Sequence, residues 1–482
     1  MKRIYLDNAA TTNTDPKVVE AMNESYQFFG NPSSLHTFGQ EARKLVDQSR
    51  DKIAEFLNCK PTEVIFTSGG SESDNLAIRG VVDSIQITDN SKKPHVITSA
   101  IEHHAVLHTV QDLENEGKIE ATYVKPNKFG VIQTEDIKSA IKDNTVLISV
   151  MYVNNEVGTV QPIREIGQMI ERENALRAKN TDNRIQITGK DRDSVYCILS
   201  PVYFHCDAVQ AAEFFNMDTK YLHVDLLTLT AHKFHGPKGI GVLFVKKGTP
   251  IEPQIVGGDQ EFRFRAGTEN TAAISGLKAA IAEITKSNPP AGGQISNPPT
   301  GEAGKNPNIK NQNNTDSHSE PEFSGEESSS NATLDPSALP QDDKKDVQHD
   351  IFFARDDNYI KIKQLRDKLE QFILKNIPET YLNGDREKRS PAISNISFKN
   401  AEGEAIILNL DFLGIAVSSG SACTARSLDP SHVLMAMDLP RELSHGAIRF
   451  SLSRETTEEE VDRVIEVLPG IIKKLREMSP FK

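Results

Sequence analysis

From Glu63 to Val245 the chain alternates short apolar runs with longer segments whose apolar residues recur three and four apart. No other feature limits the fold as tightly, because strands alternating with helices build a parallel sheet covered by helices. The spacing predicts strands over 63–67, 95–99, 121–124, 145–153, 202–206, 226–229 and 240–245. Helices are expected over 17–28, 39–57, 105–115 and 135–141, and from Leu76 onward. In such a sheet, ligands bind beyond the strand C-termini. Those places hold Ser68-Gly69-Gly70-Ser71-Glu72-Ser73-Asp74-Asn75, Glu102-His103-His104, Asn154-Asn155-Glu156, Asp207-Ala208-Val209-Gln210 and Ala231-His232-Lys233-Phe234-His235-Gly236-Pro237-Lys238-Gly239.

Each cluster has a plain structural explanation and a chemical one. A strand, a glycine-rich turn and a helix make a phosphate cup, since the first N–H groups of a helix lack partners and its dipole favours an anion. The same residues also make an ordinary capped connection. The turn fits neither GxGxxG nor GxxxxGK[ST], which argues against a dinucleotide or a nucleoside triphosphate. Lys233 follows a buried run, where a lysine can lose its proton and become a nucleophile, yet a lysine beside Gly-Pro is also an ordinary turn residue. His103 could be a cap, the paired asparagines a turn, and Asp207 a helix cap. Their conjunction at one sheet edge favours chemistry. An aldehyde cofactor with a phosphate and a pyridine nitrogen needs a lysine for a Schiff base, an acid against the nitrogen, donors for the phosphate and a flat side chain over the ring. Lys233, Asp207, the turn at 69–71 with Thr230 and His232, and His103 match that set, so pyridoxal 5'-phosphate fits better than a nucleotide.

The rest of the chain is organised differently. Residues 287–350 hold 8 of the 24 prolines and eleven acidic against four basic residues, about half of the chain's net −13, with no periodicity. This composition is expected to be disordered, an insertion between two helices. A shorter polar break, about Arg177 to Ser194, precedes the strand that ends in Asp207. Beyond 350, a helix over 359–376, strands over 392–398 and 446–452, and helices over 402–410, 428–437 and 457–478 predict a smaller α+β domain. Within it Cys423 stands in a run of small polar residues, the setting of an accessible thiol, whereas Cys59 and Cys206 read as buried. The expected division is therefore an N-terminal arm, 1–15, that joins the small domain; a large cofactor domain, 16–270; and a small domain, 271–286 with 351–482.

Bulk properties narrow the function. The acidic balance argues against nucleic-acid or anionic-membrane binding through charge. No apolar run approaches the ~20 residues of a spanning helix and no leader is evident, so a soluble, cytoplasmic protein is expected. Four scattered cysteines without a CxxC pair argue against a disulfide framework or a zinc site, and no metal is expected.

These residues resemble a known family. The chain looks like a fold-type I, class V pyridoxal-phosphate enzyme, an α/β fold with a large mainly parallel-sheet domain and a smaller α+β domain. Within that class it is similar to the group I, iron–sulphur-cluster type cysteine desulfurases. The likeness runs from Tyr5-Leu6-Asp7-Asn8-Ala9-Ala10-Thr11-Thr12 to Leu475-Arg476-Glu477-Met478-Ser479-Pro480, apart from the two insertions. It rests on Thr67-Ser68-Gly69 with Glu72-Ser73-Asp74-Asn75, on Val153-Asn154-Asn155-Glu156, on His232-Lys233 before Gly236-Pro237-Lys238-Gly239, on Arg265-Ala266-Gly267-Thr268, and on Ser418 to Cys423. The resemblance implies that Lys233 forms the Schiff base, His103 stacks on the ring and Asp207 pairs with the pyridine nitrogen. Gln210 and Asn155 would lie near the ring hydroxyl, and Asn155 and Arg449 near the substrate carboxylate. Gly70, Ser71, Thr230 and His232 would hold the phosphate, with Thr268 supplied by the other subunit of a homodimer. Cys423 would accept sulphur from L-cysteine, leaving L-alanine, and pass it to an iron–sulphur scaffold protein or a tRNA-thiolation carrier. Ser71 and Thr230 exchange the family's usual Thr and Ser, and Ala231 replaces a common glycine. The rival readings are a class V aminotransferase or selenocysteine lyase, which would not need Cys423, and an idle scaffold for sulphur-transfer partners.

Overall fold

In the computed structural model the described residues are 3–85, 93–187, 201–287, 357–419 and 430–479. Seven strands form the central sheet: β2 (Val64–Thr67), β3 (His95–Ser99), β4 (Glu120–Val124), β5 (Thr145–Ser149), β6 (Tyr203–Asp207), β7 (Leu226–Thr230) and β8 (Gly241–Val245), after a short β1 (Ile4–Tyr5) that lies elsewhere. Their order is β2-β8-β7-β6-β5-β3-β4. Neighbours from β7 to β4 pair parallel, whereas β8 runs antiparallel to both β7 and β2. The exception has a simple cause. Between β7 and β8 lie only the residues from Ala231 to Ile240, too few for the helical crossover that a parallel neighbour requires. The short return keeps Lys233 at the sheet edge.

Both faces of the sheet are covered, so β2, β3, β5, β7 and β8 are buried along their whole length, whereas the edge strand β4 is largely not. On β8, Val242 and Phe244 join one buried cluster while Leu243 and Val245 join the other, the period of two that a pleat imposes. The helices Gly70–Ser84 and His104–Asn115 cover the second face. A separate antiparallel sheet is built from β9 (Thr380–Asn383), β10 (Ile393–Phe398) and β12 (Ala447–Ser451), with β10 in the middle. Beside it pack the helices Asp357–Asn376 and Glu458–Met478. The latter starts with a capping box in which Thr457 and Glu460 satisfy each other's backbone N–H. The chain's beginning is tied into this second part: β1 pairs in parallel with β11 (Ile415–Ala416), and Asp7 bridges to Ser451.

Several boundaries differ from the sequence reading. The helix expected from Leu76 begins at Gly70, because the glycine-rich turn is itself the first helical turn. The apolar run 145–153 leaves the strand after Ser149, and Asn154 then closes a turn by accepting from Glu156 and Val157 N–H. Arg177, placed at the start of an insertion, is buried and donates to the Thr145 and Lys142 carbonyls at 3.1 and 2.6 Å, while its helix runs on to Ile187. Cys206 is buried as expected, but Cys59 is only half-buried. Beyond its first residue, the acidic stretch read over 287–350 lies outside the described residues, as does Cys423. Among the described residues no helix is long and apolar enough to cross a membrane, and no group of three His, Cys, Asp or Glu side chains could hold a metal ion.

Candidate active site

A cavity of about 440 Å³ opens where the C-terminal ends of β3, β5, β6 and β7 meet the start of the helix Gly70–Ser84. Its wall includes Gly70, Ser71, His103, Asn155, Asp207, Gln210, Thr230, His232, Lys233 and Arg449. The structure thus brings together ten of the twelve residues singled out in the sequence. Thr268 is exposed and does not reach this cavity within its own chain. Cys423 is the twelfth.

Lys233 sits in the short 3-10 turn after β7, and its Nζ donates to the carbonyls of Ala9 and Ala10 at 2.6 and 3.0 Å. Asp207, the last residue of β6, is 4% exposed and accepts from the Val209 N–H at 3.0 Å. Asp207 thus closes a turn rather than capping a helix, the next helix starting only at Thr219, and the same carboxylate lines the cavity. Burial pushes its pKa up to about 6, against the pull of the Val209 N–H and Lys233. His103 caps the helix His104–Asn115 through Nδ1, which accepts from Ala105 N–H at 3.1 Å. That bond assigns the ring proton to Nε2, and burial followed by the nearby Lys233 lowers the pKa to about 4. The imidazole is neutral and flat, suited to stacking.

The cup is built as the sequence suggests. Gly69 is the N-cap of the helix, so the amides of Gly70 and Ser71 have no partner within the helix, and both residues line the cavity. Glu72 locks the turn by accepting from Ser68 N–H and from Arg265 Nε, both at 2.9 Å. Burial would raise this carboxyl, but Arg265 and Ser68 hold it below its usual value. Thr230 donates its hydroxyl to Ile240 O at 3.1 Å, and His232 Nδ1 lies 3.2 Å from Thr11 Oγ1. Gln210 donates to Ala9 O at 2.9 Å.

Sequence reasoning left several wall residues without a role. Asp74, Glu156, His104 and His432 also line the cavity, and Glu102, next to His103 in the chain, is wholly buried. Asp74 is buried one turn beyond Gly70 and its pKa is raised, by burial and then by Asp207. Glu102 is raised to about 8 by burial, although Ser99 and the Met151 N–H bond to it. His205 lies 3.6 Å from Asp74, but burial lowers its pKa to about 3, so the contact is not an ion pair. The signal for Asp74 and Glu102 was their position one helical turn after a glycine cup and next to His103; a lone acid at such a place reads equally well as a cap.

The residues present fit pyridoxal phosphate: an amine and a buried acid share one cavity with open helix amides and a neutral ring, in a volume suited to a small cofactor with its substrate. Comparison with known proteins gives the same answer. The family described as Aminotransferase class-V matches residues 4–179, 196–288 and 355–464, and so skips both stretches read as insertions. The cysteine desulfurase IscS of Clostridium botulinum strain Hall is 40% identical over 483 aligned positions, covering 100% of this chain and 97% of the relative. The chain belongs to the class-V aminotransferase family, on its cysteine desulfurase branch. Members of this family depend on pyridoxal phosphate. Among solved structures, a NifS-like protein superposes with a TM-score of 0.71 at 29% identity, covering 99% of each chain. A structure entitled SspA in complex with cysteine gives a TM-score of 0.64 at 27% identity, covering 95% of this chain and 100% of that one.

Proposed function

We propose that this chain is a cysteine desulfurase that converts L-cysteine to L-alanine and passes the sulphur on through a persulfide on Cys423. The convergence of Lys233, Asp207, His103 and Arg449 on one cavity is the observation that supports this reading most, together with the solved relative that holds cysteine. When bound, pyridoxal phosphate supplies an aldehyde and an electron-withdrawing ring that stabilises negative charge at a substrate α-carbon. Lys233 would hold it as a Schiff base. Asp207 would keep a proton at the pyridine nitrogen, His103 would cover the ring, and Gly70, Ser71, Thr230 and His232 would take the phosphate.

The remaining roles belong to the chain's own groups. Arg449 and Asn155 bind the substrate carboxylate, and Lys233, once displaced, moves the α-proton. The Cys423 thiolate attacks the substrate Sγ; the Cβ–Sγ bond breaks with its electron pair left on carbon, which takes up a proton, and a persulfide stays on Cys423. An iron–sulphur scaffold protein or a tRNA-thiolation carrier would accept that sulphur. We place the enzyme in the cytoplasm, a reading that the free thiols of Cys59 and Cys206 support. We also read it as a homodimer, with Thr268 serving the partner's phosphate site; its exposure supports this. The two separate sheets support a large domain within 16–270 and a small one within 351–482; we assign 271–286 to the small one, although that helix packs on the helices Pro16–Ser25 and Thr37–Leu57. The test is release of sulphide and alanine from L-cysteine with a thiol reductant. The native chain should form both in equal amounts, while Cys423→Ala keeps the cofactor colour and forms neither. Undiminished turnover by the variant would transfer the chain to the aminotransferase or lyase reading.

A further inference from the structure

Arg449 is 2% exposed, and its guanidinium already has a counter-ion. Nη2 donates to Asp7 Oδ1 at 2.7 Å and Nη1 to the Asn155 carbonyl at 2.9 Å. Asp7 is itself only 21% exposed, so water screens the pair weakly. A second carboxyl, Glu156, is buried in the same wall and close enough to feel the Arg449 charge. A carboxylate that enters to pair with Arg449 therefore meets a cation that is already compensated, and it adds negative charge beside Asp7. Only a ligand with its own positive charge relieves that excess.

Asp7 is not itself in the cavity wall and acts on it through Arg449, while Ala9 and Ala10 of the same N-terminal arm do line it. Ala9 and Ala10, two and three residues on, accept from Lys233 Nζ, the atom that a substrate amine must replace. The arm is held there by the β1–β11 pairing, by the Asp7–Ser451 bridge and by the Asn8 amide on the Ser451 carbonyl at 2.9 Å. We propose that Asp7 is a specificity-determining residue, whose charge beside Arg449 admits α-amino acids and rejects carboxylates that lack an α-ammonium. This rests on Arg449 being the carboxylate site of the proposed desulfurase.

The holoenzyme tests it with two ligands that differ only by the amine, L-alanine and propionate. Inhibition constants against L-cysteine are measured for the native chain and for Asp7→Asn, which keeps an oxygen acceptor for Nη2 and removes the charge. Propionate should bind the variant about ten-fold more tightly, a change of about 1.4 kcal/mol, with L-alanine moving less than about three-fold, and Asp7→Glu should restore the native selectivity. Equal changes for both ligands, or weaker binding of both, would mean that Asp7 only props up Arg449, and the inference fails. Arg449→Lys separates the premise from the inference: propionate inhibition indifferent to that change removes Arg449 as the carboxylate site. If Arg449→Lys weakens propionate while Asp7→Asn leaves selectivity as it was, only the inference falls. Cofactor absorbance of each variant reports that the site is assembled.

Discussion

Burial sets the protonation of six histidines. His95, His103, His104, His232 and His235 are lowered to about 4 and His205 to about 3, in each case chiefly because an imidazolium would lose its water. In the unfolded chain these groups titrate near the ordinary value of about 6.5. Between about 6.5 and 4 the unfolded chain therefore binds more protons, and the stability present above that window is lost as pH falls through it. Glu102, raised to about 8, and Asp207, raised to about 6, act with the opposite sign: the folded chain keeps their protons, so their contribution is lost as pH rises through those values. Thermal unfolding across pH should show a maximum near neutrality with a steep acid limb. His205 is wholly buried between Ser149 Oγ at 2.8 Å and Thr228 Oγ1 at 3.0 Å, and it accounts for one proton of that limb. His205→Gln, which still offers a donor and an acceptor, should make the limb shallower by about 1.4 kcal/mol per pH unit. A limb of undiminished slope in His205→Gln would mean that His205 is protonated in the folded chain. At this scale the sequence was most legible where a residue's chemistry was unusual for its place, as with Lys233 after a buried strand. Asp7 was opaque, because only the fold brings a residue of the N-terminal arm within 2.7 Å of Arg449.

At the scale of elements, the cup depends on a strand that contributes no side chain to it. Gly241 opens β8 and pairs with Thr67 on one side and Thr230 on the other, the two strand ends that lead into the cup and into the lysine turn. A Cβ at this position would stand 2.7 Å from the Gly69 Cα and carbonyl carbon and 2.8 Å from Thr67 Oγ1. Backbone cannot give way as a side-chain tip can. Gly241→Ala should push the turn at 68–70 off its position, cost about 1–3 kcal/mol of stability, and weaken cofactor retention more than a change of equal cost in the second sheet. Comparing Tm with the rate of cofactor loss on dialysis checks this, and normal retention in a destabilised variant would sink it. The alternation of strands and helices was readable because each apolar run is long enough to be buried on both faces. β9 was missed, since Thr380-Tyr381-Leu382-Asn383 is short and mixed in polarity, and so was the five-residue helix Arg441–His445. The reversal of β8 was not read either, although the ten-residue link before it was visible; direction follows from what a link can span, and periodicity says nothing of direction.

For the whole molecule, every described site residue belongs to one unit, formed by Met1–Pro289 with Asp350–Lys482. The family match stops at 288 and resumes at 355, so the family model leaves out the stretch of 60 residues from Pro290 to His349. Its acidic, proline-rich composition contributes little apolar surface to bury. Closing a loop of n residues costs entropy that grows only as the logarithm of n, so replacing 60 residues by about eight should stabilise the chain by at most roughly 2 kcal/mol. A chain in which 290–349 gives way to a short Gly-Ser linker should therefore keep its cofactor absorbance and its turnover of L-cysteine with a reductant, with Tm equal to or slightly above that of the native chain. A deletion that fails to fold would show that the stretch is part of the folded enzyme. Unchanged cysteine turnover with slower sulphur delivery to a protein acceptor would instead place its role in the choice of partner, where a surplus of six negative charges would act through salt-dependent encounter.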